Sequence, residues 1–136
     1  PKNLFVAGFI GSPAMNFFKG ELQEGGSGPV VVTDGVTIPL DGYKAGGALT
    51  AGRKVVLGMR PEHIQVDDPQ APSGFDAVVD IEEPMGADNL LWLKFANSTM
   101  SVRIAGNRRY EPGSKVKLSF AMDLASVFDA ETELRI

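Results

Sequence analysis

The chain has 136 residues, 43% of them hydrophobic and 22% charged, with a formal net charge of −4 at pH 7. That length suits about one domain, and the composition is that of a folded globule rather than a disordered chain. The acidic balance opposes nucleic acid as a partner, which needs clustered Lys and Arg, and the lack of Cys excludes a disulfide scaffold and a thiolate nucleophile.

Leu4 to Ile10 fits either a strand or a helix tail. The Asn3 start and the Gly11-Ser12-Pro13 stop favour a helix end. Phe17 to Leu22 then predicts a first strand, and Gly25 to Pro29 a flexible turn. Val30 to Thr33 and Val36 to Leu40 are two β-branched runs around Asp34-Gly35, the signature of a tight hairpin. Asp41 to Gly47 reads as a loop, Lys54 to Arg60 as a buried strand, and Ile64 to Val66 as a short one.

The second half continues in the same manner. Gly74 to Glu83 places Phe75, Ala77, Val79 and Ile81 on one face and Asp76, Asp80 and Glu82 on the other. Pro84 to Asp88 turns the chain. Leu91, Leu93 and Phe95 alternate with Trp92 and Lys94 in the next strand. Met100 to Ile104, Val116 to Phe120 and Ser126 to Phe128 complete the set. Short strands separated by Gly and Pro predict an all-β barrel or sandwich. No uninterrupted apolar run approaches the roughly 18 residues of a membrane span.

Few residues carry candidate chemistry. Gly47 to Lys54 nearly matches a phosphate-binding loop, but Arg53 stands in the Lys position, Lys54 in the Ser/Thr position, and a strand follows where a helix is needed. One His and no Cys argue against a zinc site. Asp67-Asp68 and Glu82-Glu83 are neighbours, and in a strand neighbours point to opposite faces, so neither pair converges on a substrate. The expectation is a module that is not an enzyme. A different pattern stands at Leu57 to His63, where a buried strand ends in Arg60-Pro61-Glu62-His63. Pro61 drives Arg60 to extended geometry, and Arg60 and Glu62 are placed to pair or to cap a short turn. This edge reads as a structural turn or as an interaction surface.

"FVAGFIGSPAMNFF" at residues 5–18, followed by "LGMRPEHI" at 57–64 and a tail "LSFAMDLASVFDAETELRI", resembles the ATP-binding subunits of ABC importers for carbohydrates and sn-glycerol-3-phosphate, the maltose-importer type. The resemblance spans the whole chain. It implies that residues 1–15 end a nucleotide-binding domain and its linker. Residues 16–136 would then form the C-terminal regulatory domain, a transport-associated OB-like, molybdate-binding-protein-like β-barrel. ATP and Mg²⁺ would belong to the nucleotide-binding domain, leaving no cofactor, metal or catalytic residue in this fragment.

The same resemblance implies partners and a place. These are a second copy of the subunit, the membrane permease through the nucleotide-binding domain, and a cytoplasmic regulator, with the assembly peripheral on the cytoplasmic side of the bacterial inner membrane. The candidate surface for the twin subunit or the regulator is Phe17, Gly58, Arg60, Pro61, Glu62 and His63. The alternative function is a barrel that binds an oxyanion or a sugar. One departure from the family stands near the end: Glu131-Thr132-Glu133 carries Glu where relatives commonly have a turn Gly, which bears on the geometry of the last turn and on Leu134 to Ile136.

Overall fold

Period-two patterning and frequent Gly and Pro leave the chain little choice but short antiparallel strands. The computed structural model describes residues 2–3, 15–71 and 74–136. The expected helix end at 4–10 and most of the linker lie outside the described residues. Among those described, ten strands and two single 3₁₀ turns form, and they divide into two compact units.

The first unit comprises Pro1–Met59 and Met122–Ile136. Its sheet has the order β10-β4-β1-β2-β3, with β1 at Asn16–Gly25, β2 at Gly28–Thr33, β3 at Val36–Pro39, β4 at Lys54–Met59 and β10 at Ser126–Asp129. Strand β1 runs past the expected end at Leu22. It pairs with β4 from Asn16 to Glu21 and with β2 from Glu21 to Gly25. The expected five-residue turn shrinks accordingly, because Gly28 and Pro29 already belong to β2. The β2–β3 hairpin forms as expected, with Asp34 at φ 46° and Gly35 at φ 80°, the two left-handed positions that match strand twist. Phe18, Leu22, Val31, Ile38, Leu57, Val127 and Phe128 fill the core.

The second unit comprises Arg60–Ala121. A 3₁₀ turn at Pro61–His63 leads into β5, Ile64–Val66. Then come β6 at Phe75–Pro84, β7 at Asp88–Phe95, β8 at Ser98–Ala105 and β9 at Lys115–Phe120, in the order β5-β9-β6-β7-β8. Strand β8 returns alongside β5 and the 3₁₀ turn, so the sheet nearly closes on itself. Phe75 stacks on Phe120 at 5.2 Å between centroids, and Phe95 meets each ring edge-on at 5.8 Å.

One expectation about a face is corrected. Val79 pairs with Leu93 but Ile81 pairs with Trp92, so Asp80 is an extra residue and the strand is bulged. The alternation slips by one beyond it. Ile81, expected in the core, is 57% exposed, and the Glu82 side chain, expected outside, is only 14% exposed.

Candidate interaction surfaces

The Leu57 to His63 segment starts in β4, where Leu57 and Met59 are buried, and leaves the sheet at Arg60. Arg60 is extended, at φ −76° and ψ 146°, as the following Pro61 requires. The short turn forms, but backbone closes it: the His63 N–H donates to the Arg60 carbonyl at 3.0 Å. Arg60 supplies no side-chain cap. Pro61 is buried, Arg60 and His63 are half-buried, and Glu62 is exposed. The Nδ1 atom of His63 is buried without a hydrogen-bond partner.

Phe17 and Gly58 fall in the first unit, directly opposite each other on β1 and β4. Phe17 is 37% exposed and meets the buried Phe128 edge-on at 6.5 Å. Gly58 is buried for a steric reason. A Cβ there would lie 2.5 Å from Met15 Sδ and 3.2 Å from Phe128 Cε2. Within the candidate set, then, Phe17 and Glu62 offer the most surface, while Gly58 and Pro61 shape the backbone beneath.

The Gly47 to Lys54 stretch builds no phosphate cradle. Lys54 opens β4 and its Nζ pairs with Glu21 at 2.5 Å, which holds the Glu21 carboxyl below its ordinary range. Arg53 donates through Nε to Asp129 Oδ2 at 2.8 Å. Asp129 also accepts the Thr132 and Glu131 N–H groups at 2.8 Å each. Those backbone bonds and Arg53 lower its pKa to about 2. Among the described residues no group of His, Asp and Glu could hold a metal ion, and no helix is long and apolar enough to cross a membrane.

Comparison with known proteins decides the family. The TOBE domain model matches residues 57–128, more than half of the chain. The chain belongs to the TOBE domain family. A second model, the MalK OB fold domain, matches residues 11–64. All 136 residues of this TOBE chain align at 40% identity with UgpC of Escherichia coli strain K12, an sn-glycerol-3-phosphate import ATP-binding protein, and span 37% of it. YurJ of Bacillus subtilis, an ABC transporter ATP-binding protein, is 36% identical over 98% of this chain and 38% of its own length. The chain thus spans little more than a third of these relatives. Among solved structures, the cytoplasmic molybdate-binding protein ModG matches with a TM-score of 0.58 over 82% of this chain and 94% of that one, at 17% identity. That likeness shows the fold alone, and it agrees with the expected OB-like, molybdate-binding-protein-like architecture.

The boundary between the two family matches falls on the Leu57 to His63 segment, which lies in both. Within the TOBE match, sequence reasoning missed the environment of Glu82. Its carboxylate accepts the Asn89 side-chain amide and the Tyr110 N–H, each at 3.1 Å, with Arg109 at 3.7 Å. Glu83 points the other way and accepts the Trp92 indole N–H at 3.2 Å. The signal was present in the doubled Val78-Val79 and Glu82-Glu83, which break strict alternation.

Proposed function

We propose that this chain is the regulatory and dimerisation part of the ATP-binding subunit of an ABC importer for a carbohydrate or sn-glycerol-3-phosphate, and that it carries no catalytic step itself. The observation behind this reading is the 40% identity, end to end, with part of UgpC. ATP and Mg²⁺ bind in the portion of the parent protein that the chain does not span. That portion also reaches the membrane permease, on the cytoplasmic face. Residues 16–136 are the regulatory domain, preceded by a linker. The Arg60-Pro61-Glu62-His63 turn, with exposed Glu62 at its tip, is the edge offered to a cytoplasmic regulator.

Exchange of the matching segment of Escherichia coli UgpC for this chain tests the reading. Uptake of sn-glycerol-3-phosphate is expected to survive the exchange. An assembled chimera without uptake overturns the proposal, as does saturable micromolar ATP binding by the isolated chain in calorimetry. A rise in melting temperature with molybdate or a sugar favours the ligand-binding barrel instead.

A further inference from the structure

Strand β6 is written for one register and folded in another. In an unbroken strand Phe75, Ala77, Val79 and Ile81 would share the inner face, yet the extra residue Asp80 turns Ile81 out and Glu82 in. Exposing an isoleucine and sheltering a carboxylate both cost stability, so something selects this register over the regular one. Two residues do so. The Glu82 carboxylate accepts the Asn89 amide and the Tyr110 N–H, with Arg109 at 3.7 Å. Pro84 stands opposite Asn89, and the next residue, Met85, donates its N–H to the Asp88 carbonyl at 2.9 Å. In the regular register every residue after Val79 moves one place along β7. Ile81 then faces Leu91, Glu82 faces Leu90 and Glu83 faces Asn89. Pro84 comes opposite Asp88, where it has no N–H to donate.

The surroundings leave that slide open. Val79 is anchored on its far side, where its N–H donates to the Ser114 carbonyl at 2.9 Å and its carbonyl accepts the Gly113 N–H at 2.7 Å. Strand β9 pairs with β6 only from Phe75 to Val78. Beyond Val79, β7 is the one strand paired with β6 among the described residues, so a slip of one place breaks no other ladder. The turn that follows contains Gly86 at φ 96°, with open space where a Cβ would lie, and it has the freedom to take up the displaced residue. The doubled Glu82-Glu83 adds to this, because after the slip Glu83 turns inward and a carboxylate again faces Asn89. We propose that residues 80–84 form a two-register switch: they slide by one place on β7, and Glu82 and Pro84 hold the register in which Ile81 is exposed. The slide buries Ile81 against Leu91 and turns Asp80 and Glu82 outward on the side of Trp92, so an apolar surface becomes an acidic one. The proposal is independent of the importer reading.

Disulfide trapping and methyl NMR test it, and the chain has no Cys of its own to interfere. Ile81→Cys with Leu91→Cys places two thiols that face each other only after the slide, and oxidised glutathione should close them in the folded chain. Adding Pro84→Ala should speed closure about tenfold, the effect of one hydrogen bond regained in the slid register. Glu82→Lys sets a cation beside Arg109 and should move the cross-strand contacts of the Ile81 methyls from Trp92 to Leu91. Glu82→Leu suits the inner place and should keep them on Trp92, which separates a change of register from a mere loss of charge. A folded Glu82→Lys chain with Ile81 still beside Trp92 overturns the proposal, as does closure that Pro84→Ala leaves unchanged. Closure that rises steeply with urea reports unfolding rather than sliding, and also overturns it. Should Glu82→Lys fail to fold, the trap with Pro84→Ala decides alone.

Discussion

Pro1–Met59 and Met122–Ile136 build one unit from two stretches of chain, and Arg60–Ala121, which lies between them in sequence, builds the other without interruption. The two units bury antiparallel sheets of five strands each. Their polar ties differ in reach. In the first unit, the Tyr43 hydroxyl donates to the Ile136 carbonyl at 2.6 Å and accepts the Val127 N–H at 3.0 Å, and Arg53 pairs with Asp129. Each of these joins parts of the chain that are far apart in sequence. In the second, Glu82 ties to Asn89 and Tyr110 within the same run of strands. The first unit therefore depends on its C-terminal segment, and the second on an irregular register.

The largest expected effect tests that dependence. Phe128 is fully buried on β10, in a cluster with Met15 and Val56. Phe128→Ala should cost about 3–5 kcal/mol in denaturant unfolding. Hydrogen exchange on the same variant should show protection lost in β1 and β4 before β7 and β8. Equal loss in all four strands would break the comparison, because the units would then unfold as one. In the second unit, Glu82→Ala strands the buried Asn89 amide and the Tyr110 N–H, which should cost about 1–3 kcal/mol. A cost below about 0.5 kcal/mol would mean that the sheet ladder alone holds the bulge.

Tyr43→Phe removes one hydroxyl and two bonds that pin the C-terminal residues. A loss of about 1 kcal/mol is expected, with faster exchange at the Val127 and Ile136 amides. Acid should act on the same region through Asp129. Its pKa of about 2 lies below the ordinary 3.8, so its contribution is present above pH 3.8 and is lost as pH falls towards 2. Replacement by Asn should flatten the stability curve over that interval. An unchanged acid limb in thermal melts of Asp129→Asn would remove Asp129 from the account.

Much of the architecture was legible because strand periodicity is local. Val30 to Leu40 announced its hairpin through β-branched runs around Asp34-Gly35, and Pro61 set the backbone of Arg60. The inversion at Ile81 and Glu82 was not legible by the same rule. A bulge depends on pairing with β7, and the donors that satisfy the Glu82 carboxylate come from Asn89 and Tyr110, outside its own strand. The candidate surface was legible only in part. The turn at Arg60 to His63 follows from its residues, whereas the burial of Gly58 follows from Met15 and Phe128, which no local pattern brings to β4.

The smallest effect concerns the last turn, Glu131-Thr132-Glu133. Glu133 adopts φ 64°, the left-handed region that suits Gly and strains other residues. The turn is nonetheless held: Asp129 accepts the N–H groups of Glu131 and Thr132, and the Glu133 N–H donates to the Asp129 carbonyl at 2.9 Å. Beyond it, Ile136 is buried and donates its N–H to the Val127 carbonyl at 2.8 Å. Relief of the left-handed strain favours Gly by about 1–2 kcal/mol, and the greater freedom of Gly in the unfolded chain returns about 0.4–1 kcal/mol of that. Glu133→Gly should therefore raise stability by roughly 0.5–1 kcal/mol, and Glu133→Ala, which keeps a Cβ, should not. Equal melting temperatures for the Gly and Ala variants would show that the turn carries no such strain, and that the order of the C-terminal segment rests on its hydrogen bonds instead, those of Tyr43, Asp129 and Ile136 among them.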